Sequence, residues 1–563
     1  MSVTQPGIET IETDILVIGG GSAGCMAAIA ASDAAPDLDI TILEKANIRR
    51  SGTLATGMDA LNVVAVPGIA TPEEYVRGVD VAHLRGIIEE DLHYVLAEKS
   101  FAMLKKLEGW GIEFEKDETG QYVALPTFYG LYPGNFTIPM AGLDLKLILS
   151  REVAKRGIRV LNYTMTTCLL SDYNSVYGAC GFNTRSGKFI VCPAKAVILT
   201  TGGCGRFGMP SSGYMYGTFD FPGNAGDGYS MAYRAGAQLR NFEYVQYYVE
   251  VNKLNVPLGK GYDLEYDTKM INERGEEIVY RDAWDEDEVK LLLSGESVYE
   301  RFNHLPEEAI RKIEEIWFNS ERKHSIISFF REKNIDIRKD DIEYSFGDIS
   351  LCAGHGMSGV KVDTEAATTL RGLYAAGDVA CVPLQYLSGA FVYGEIAGQS
   401  AVKYAEGCDT REIDQELVQE HAEEIFAQLG RTDGIKPKDF ELELRNKITE
   451  YLAPPRDAEK LETALKWIKK YRSEDVENLK AEDLHELVKA VEAGFILDCA
   501  EMTARSALTR KETRWGKNDY RSDFPERDDE NWLKFVNLKI DQETGEMVVF
   551  TTPVKRGRSR GDK

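Results

Sequence analysis

Three short glycine turns, each closing an apolar run of strand length, are the parts of this chain best suited to hold a phosphate-bearing ligand. The first is Gly19-Gly20-Gly21-Ser22-Ala23-Gly24, which follows Asp14-Ile15-Leu16-Val17-Ile18 and runs into Cys25-Met26-Ala27-Ala28-Ile29-Ala30-Ala31. The compact apolar run reads as a strand and the Ala-rich stretch as a helix. The spacing fits G-x-G-x-x-G. Gly19 takes the tight turn, Gly21 lets backbone N–H groups approach a pyrophosphate, and Gly24 lets the helix pack closely on the strand. A helix beginning at Ser22 also turns its partial positive charge toward the phosphates.

Other elements must hold that loop in place. A second strand, Asp39-Ile40-Thr41-Ile42-Leu43, ends at Glu44, twenty residues after Gly24. An acidic side chain there accepts hydrogen bonds from the ribose hydroxyls of an adenosine. Another run, Ala196-Val197-Ile198-Leu199-Thr200-Thr201, stops at Gly202-Gly203, and the segment Thr369 to Ala376 repeats the form before Gly377-Asp378. The three pieces read as parts of one dinucleotide domain interrupted by long insertions. A carboxylate beside a backbone amide at Gly377-Asp378 can bond a ribityl or pyrophosphate group, which favours FAD over NAD.

Composition bounds the rest. The 563 residues are 43% hydrophobic, 10% aromatic and 28% charged, enough for a large core. That excludes a disordered, collagen-like or small stapled protein. Lys and Arg total 66 against 91 for Asp and Glu, a net charge of −25, which repels nucleic acid and anionic lipid. Neither a nucleic-acid partner nor direct membrane insertion is expected, and the basic end Lys555 to Arg560 reads as a solvated tail. The 18 uncharged residues from Ile15 to Ser32 divide into strand, glycine turn and helix, so they do not read as a membrane span. Nine cysteines are scattered with no C-x-x-C pair, and no metal site is expected. Their odd number, the size of the chain and a start without a secretory leader favour a reduced, cytoplasmic setting.

Taken together in order, these turns resemble the fumarate reductase/succinate dehydrogenase flavoprotein family. The resemblance adds Ala225-Gly226-Asp227-Gly228, Asn241-Phe242-Glu243-Tyr244-Val245-Gln246-Tyr247, His355-Gly356-Met357-Ser358-Gly359-Val360 and the run Ala504 to Arg514. Within the family, Glu44 to Gly52, Gly57 to Asn62 and Tyr386-Leu387-Ser388-Gly389-Ala390-Phe391 look most like the adenylylsulfate reductase α subunit. The C-terminal helical region is closer to the fumarate reductase side. The resemblance implies an α/β fold: a Rossmann-like FAD-binding domain, an inserted α+β capping domain and a C-terminal helical domain. It places Gly19, Gly21, Ser22, Gly24, Glu44, Lys45, Ser51, Gly52, Gly202, Gly203, Asp227, Gly377, Asp378 and Ser388 around the cofactor.

Departures from the family pattern narrow the chemistry. Arg50-Ser51-Gly52-Thr53 has glycine where respiratory members carry a histidine joined covalently to FAD, so dissociable, non-covalent FAD is expected. The family's carboxylate-binding arginine after the Gly-Asp turn is missing, because no Arg, Lys or His lies between Asp378 and Tyr393. Two buried carboxylates need such partners. The family's histidine after E-F-V-Q-Y falls on Tyr248. Arg281-Asp282 sits too soon after Gly275-Glu276-Glu277 to match the fumarate enzymes' proton-donating arginine, and a structural role is expected. His355 keeps the family's substrate-side imidazole, able to hydrogen-bond or protonate an anion. Asn62 resembles the asparagine beside the flavin ring. The catalytic candidates are therefore His355, Asn62 and Tyr248; Tyr214, Tyr216, Phe219, Tyr244 and Tyr247 fall in the same region of the chain, where an aromatic stripe is more often core than ligand surface.

The FAD-binding domain is expected over residues 1–235 and 350–410, the capping domain over 236–349, a helical domain over 411–515 and a C-terminal extension over 516–563, with an irregular stretch at Asp523–Asp529. Residues 1–10 read as a polar lead-in. Helices are expected at Gln415–Leu429, Asp439–Leu452, Ala458–Tyr471 and Leu484–Leu508, with an amphipathic one over Pro306–Ile316. The reading is an FAD-dependent oxidoreductase subunit whose electrons pass between a pocket-bound substrate and a separate ferredoxin-like iron–sulfur subunit. Three alternatives remain: a fumarate reductase or succinate dehydrogenase with an unusual carboxylate clamp, an L-aspartate oxidase-like enzyme, and a flavin electron-transfer subunit with no substrate of its own.

Overall fold

In a computed structural model, the apolar run Thr13–Ile18 forms the middle strand of a large sheet. Residues 7–56, 58–127, 134–142, 144–210, 213–218, 220–254, 266–278, 286–319 and 323–555 are described. The parallel part of the sheet orders Arg159–Asn162, Ile40–Glu44, Thr13–Ile18, Phe189–Leu199 and Leu373–Ala375. The 11-residue strand Phe189–Leu199 serves two partners. Its second half pairs parallel with Thr13–Ile18, while its first half pairs antiparallel with Val176–Asn183, which in turn pairs with Thr164–Ser171. Strands buried on both faces read as unbroken apolar runs, which is why Ile15, Leu16 and Val17 are all fully buried.

Helix Ser22–Ala34 lies against the long helix Tyr386–Ala405. A Cβ on Gly394 would lie 2.6 Å from the Ala23 carbonyl oxygen, and one on Gly398 would lie 2.2 Å from that of Ala27. These two glycines, spaced four apart on one helix face, allow the backbones to touch and fix the glycine loop against the Gly377-Asp378 turn.

A second hydrophobic core stands apart from the first. The antiparallel order Gln246–Val251, Ile342–Ser350, Val298–Arg301, Lys269–Asn272 and Glu277–Ile278 is covered by helices Glu307–Asn319 and Lys323–Lys333. Ile310, Ile313 and Trp317 recur at helical spacing and are buried, with Trp317 edge-on to Phe302 at 5.3 Å. Arg281 and Asp282 lie outside the described residues.

The helical region contains Gln415–Phe426, Pro437–Leu452, Ala458–Lys470 and Leu484–Thr509. Asp483 caps the last of these by accepting a bond from the Glu486 N–H at 2.9 Å, one of the orphan donors at a helix start.

Both ends of the chain add strands to the sheets. Within the polar lead-in, Ile8–Thr10 is a strand paired parallel with Phe189–Val191, which ties it to the sheet. Asp523–Asp528 forms no helix or strand, and the extension becomes regular beyond it. Lys534–Ile540 and Met547–Pro553 form a hairpin that joins Leu239–Arg240 and Gly359–Val360 in a four-stranded sheet. The apolar residues Phe535, Val536 and Leu538 supply its buried face, and edge pairing satisfies the backbone groups that an irregular tail would leave to water. Among the described residues no helix is long and apolar enough to cross a membrane.

Candidate functional site

A cavity of about 470 Å³ opens over the carboxyl end of the parallel strands, where open α/β sheets bind their ligands. Gly19, Gly21 and Ser22 line it, and Gly19 takes φ +102°. A Cβ at Gly19 would also lie 2.4 Å from the Thr200 carbonyl oxygen, so only glycine fits. Gly21 differs in kind: a Cβ there would meet no atom within 4 Å. That open space in front of a helix N-terminus is a cradle for phosphates. Gly24 does not line the cavity. Its Cβ would lie 1.9 Å from the Gly19 carbonyl oxygen, so it serves helix packing.

Glu44 lines the cavity and also braces the loop. One carboxylate oxygen accepts from the Gly20 N–H at 2.8 Å and the other from the Ala46 N–H at 2.7 Å. Each oxygen keeps acceptor capacity for a ribose hydroxyl. Gly52, Gly202, Gly377 and Asp378 complete this side. Gln385 clamps the Gly377 turn by donating to the Gly377 carbonyl at 2.9 Å, and burial pushes the Asp378 carboxyl up to about 6.

Lys45 and Asp227 line the opposite wall, and they are paired with each other at 2.7 Å. Lys45 also meets Glu492 at 2.9 Å. Arg206, fully buried, bridges Glu492 at 2.7 Å and Glu441 at 2.6 Å, and Lys489 approaches Glu492 at 2.7 Å. Burial alone would raise the Glu492 carboxyl, but Arg206, Lys45 and Lys489 outweigh it and hold it well below the usual carboxylate range. Burial would likewise lower the Lys45 ammonium, and Asp227 and Glu492 reverse that. Lys45 therefore braces two segments of chain, a role the glycine-loop motif does not reveal.

Several lining residues escape a reading of the sequence. His485, Val488, Lys489 and Glu492 come from helix Leu484–Thr509. Their spacing of three, four and seven marks one helix face, the only signal that could find them. Lys146, buried on helix Leu145–Lys155, reaches the Gly20 carbonyl. Thr200 holds the loop by donating to the Gly19 carbonyl at 2.7 Å. A lone lysine or threonine gives no sequence signal.

The catalytic candidates lie beyond the cavity's lining. His355 is half-buried, and its ring stands edge-on to Tyr386 at 4.8 Å. Its neighbours tie it to the Gly-Asp turn. The Ala353 N–H donates to the Asp378 carbonyl at 3.1 Å, and a Cβ on Gly354 would lie 2.3 Å from the Asp378 carboxylate. Ser358 anchors the other side by donating to the Asn241 and Tyr244 carbonyls at 3.0 Å each. Asn62 is buried on strand Ala60–Val64, where the register shifts between Leu61 and Val64. Its carbonyl accepts from the Ser388 hydroxyl, so Ser388 holds Asn62 and does not itself line the cavity. Val63 beside it has φ +51°, and Tyr386 has φ +48°. Left-handed backbone is costly for a β-branched or bulky residue and concentrates at functional sites.

Tyr248 lies elsewhere. It is buried in the second core, and burial, with Asp220 and Cys352 nearby, pushes its phenol well up. Ser51 is buried, and Gly203 packs against Leu351; neither lines the cavity. The aromatic residues do not form one lining. Tyr214 and Tyr216 are exposed, Tyr244 packs edge-on to Trp515 at 5.6 Å, and Tyr247 packs on Phe346 at 5.1 Å. Phe219 lies outside the described residues. Phe221 lines the cavity.

A glycine cradle with open space at Gly21, an acidic residue at the second strand's end and a carboxylate at a third turn fit a flavin dinucleotide. Comparisons with known proteins agree. The description of an FAD binding domain matches residues 14–388, and that of a fumarate reductase flavoprotein C-terminal domain matches 441–559. A fumarate reductase (CoM/CoB) polypeptide of Methanothermobacter marburgensis is 28% identical over 95% of this chain and 98% of its own. The alpha chain of adenylylsulfate reductase from Megalodesulfovibrio gigas is 25% identical over 98% and 97%. The solved adenylylsulfate reductase of Archaeoglobus fulgidus superposes with a TM-score of 0.87 at 28% identity, covering 98% of this chain and 97% of that one.

Proposed function

Because the chain belongs to the FAD-binding family of fumarate reductase and adenylylsulfate reductase flavoproteins and is an FAD-dependent oxidoreductase, we propose that it is the catalytic subunit of an electron-transfer complex. Its substrate is an anion bound beside His355, closer in character to adenylylsulfate than to a small dicarboxylate. Bound in the cavity, FAD supplies the two-electron chemistry. This chain's residues supply the rest. The Gly19–Gly24 loop and Glu44 orient the dinucleotide, and the Lys45–Asp227–Glu492 network fixes the wall that shuts water out. His355 steadies the anion or holds a proton for it at a ring nitrogen. Asn62, set beside a bulge with left-handed backbone at Val63, would offer its amide to the flavin ring. Gly52 leaves no side chain for a covalent link, so the flavin dissociates.

The observation carrying this reading is the packing of His355 on Tyr386, which belongs to a segment with no cation from Asp378 to Tyr393. A dicarboxylate gripped there would lack its counter-charge. Electrons would reach or leave the flavin through a separate iron–sulfur partner; the relatives are themselves subunits. A second reading, fumarate reduction, is favoured by the fumarate reductase relative and by the match of residues 441–559.

The test is anaerobic. The flavin-loaded protein is reduced chemically, and its blue-absorbing band is followed after adding adenylylsulfate or, separately, fumarate. Reoxidation by adenylylsulfate alone is expected. Reoxidation by fumarate alone overturns the first reading in favour of the second, and failure of both removes the two substrates together. Acid precipitation should leave the flavin in the supernatant; flavin retained in the pellet contradicts non-covalent binding.

A further inference from the structure

Away from the cofactor cavity, two cysteines face each other across the strand pair Thr164–Ser171 and Val176–Asn183. Cys168 and Cys180 are in register, and their sulfurs are 2.7 Å apart. Thr167 forms the extra residue of a bulge there, and its hydroxyl contacts His421 Nε2 at 3.0 Å. The other ring nitrogen of His421 faces Glu424 at 3.8 Å. Cys180 is fully buried, whereas Cys168 and His421 are only partly so. Cys168 is thus the member of the pair nearer to solvent, and Cys180 is screened.

We propose that Cys168 and Cys180 form a second two-electron centre that exchanges with disulfides, with Cys168 as the attacking sulfur, Cys180 as the resolving sulfur and His421 as the proton-handling group. The Cys168 thiolate attacks one sulfur of a substrate disulfide, breaking its S–S bond and forming a mixed disulfide. The departing thiolate takes a proton from the His421 imidazolium. Cys180 then gives up its proton and attacks Cys168 Sγ, forming the protein disulfide and expelling the second substrate thiolate, which that proton neutralises. The protein dithiol loses two electrons and two protons, and one substrate disulfide becomes two thiols.

Two observations favour this chemistry over metal binding. Two thiolates on one tetrahedral zinc, each at about 2.3 Å, stand roughly 3.8 Å apart, farther than these strands hold the sulfurs. The pair is asymmetric: the Cys180 hydrogen bond and His421 pull the Cys168 thiol down, while burial pushes the Cys180 thiol up. Such a split makes one sulfur nucleophilic and keeps the other protonated until needed. By contrast, Cys204 and Cys499, which also meet beside Gly226, are both fully buried.

The flavin-loaded full-length protein is reduced, freed of reductant and incubated with glutathione disulfide, then alkylated after denaturation and mapped by mass spectrometry. The expected product is one peptide pair bridged through Cys168 and Cys180, with Cys204 and Cys499 alkylated. Cys180→Ser should trap glutathione on Cys168, and Cys168→Ser should abolish reaction at this site. His421→Ala should slow bridge formation about tenfold or more. The flavin spectrum reports folding of each variant, and the wild-type mapping needs none of them. Full alkylation of both cysteines in wild type overturns the proposal. So does stoichiometric zinc in the purified protein that shields both sulfurs from alkylation.

Discussion

The two walls of the cofactor cavity solve the same problem in opposite ways. The strand wall, from Gly19 to Gly24 with Gly202 and Gly377, is made of backbone, and its precision comes from the absence of side chains. The helical wall, from Lys45 and Asp227 to Lys489 and Glu492, is made of long charged side chains locked by a buried network. A backbone wall fails by intrusion of atoms. A charged wall fails by loss of a partner, since a buried charge without its counter-charge costs far more than the pair contributes.

The largest effect tests the strand wall. Gly24→Val should abolish flavin binding and destabilise the fold, because even a Cβ would lie 1.9 Å from a backbone oxygen. Flavin absorbance after gel filtration checks this, and a yellow, monodisperse variant would contradict the packing role. His355→Ala addresses what both walls serve. Turnover of whichever of the two proposed substrates reoxidises the flavin should fall roughly 10²–10⁴-fold, as for loss of a general acid, with flavin content unchanged. Equal loss of flavin would assign His355 to structure instead.

Glu492→Gln tests the helical wall. It leaves Arg206, Lys45 and Lys489 without a shared carboxylate, at a cost of about 3 kcal/mol in unfolding free energy, the low end for breaking a buried pair. The carboxyl of Glu492 is held below its ordinary value in the fold. Its stabilisation is therefore present above that ordinary value and lost as the pH falls through the folded one. The difference between variant and wild type in denaturant titrations should be full at neutral pH and shrink below about pH 4.5. A difference that stays constant down to about pH 3 would sink this account. The smallest effect separates the two glycine roles. Gly21→Ala should leave melting of the flavin-free protein unchanged but weaken FAD binding about tenfold, or about 1.4 kcal/mol, because its methyl enters open space meant for phosphate.

How much of this is legible depends on how each part is encoded. Gly19-Gly20-Gly21-Ser22-Ala23-Gly24 and Glu44 sit within one βαβ unit, so spacing alone exposes the strand wall. Gly377-Asp378 lies far along the chain yet shows itself as a strand followed by a tight turn. The motif around Ser388 places that residue at the cofactor, but its hydroxyl bonds the Asn62 carbonyl. Tyr248 aligns with a substrate-side position but packs in the second core. In both, sequence register locates the segment, and the direction of the side chain is left to packing.

The sequence by itself determined the α/β class, the dinucleotide loop and the family, because these rest on local periodicity and on glycines whose conformations no other residue adopts cheaply. It also determined that no covalent flavin histidine stands at Gly52. Only the tertiary structure decided that Lys45 is spent on Asp227 and Glu492, that a C-terminal helix closes the cavity, and that the last strands brace the His355 segment through Leu239–Arg240. Charge pairing and edge-strand addition join residues hundreds of positions apart. Such contacts are fixed by where chain segments meet in space, which local pattern does not encode.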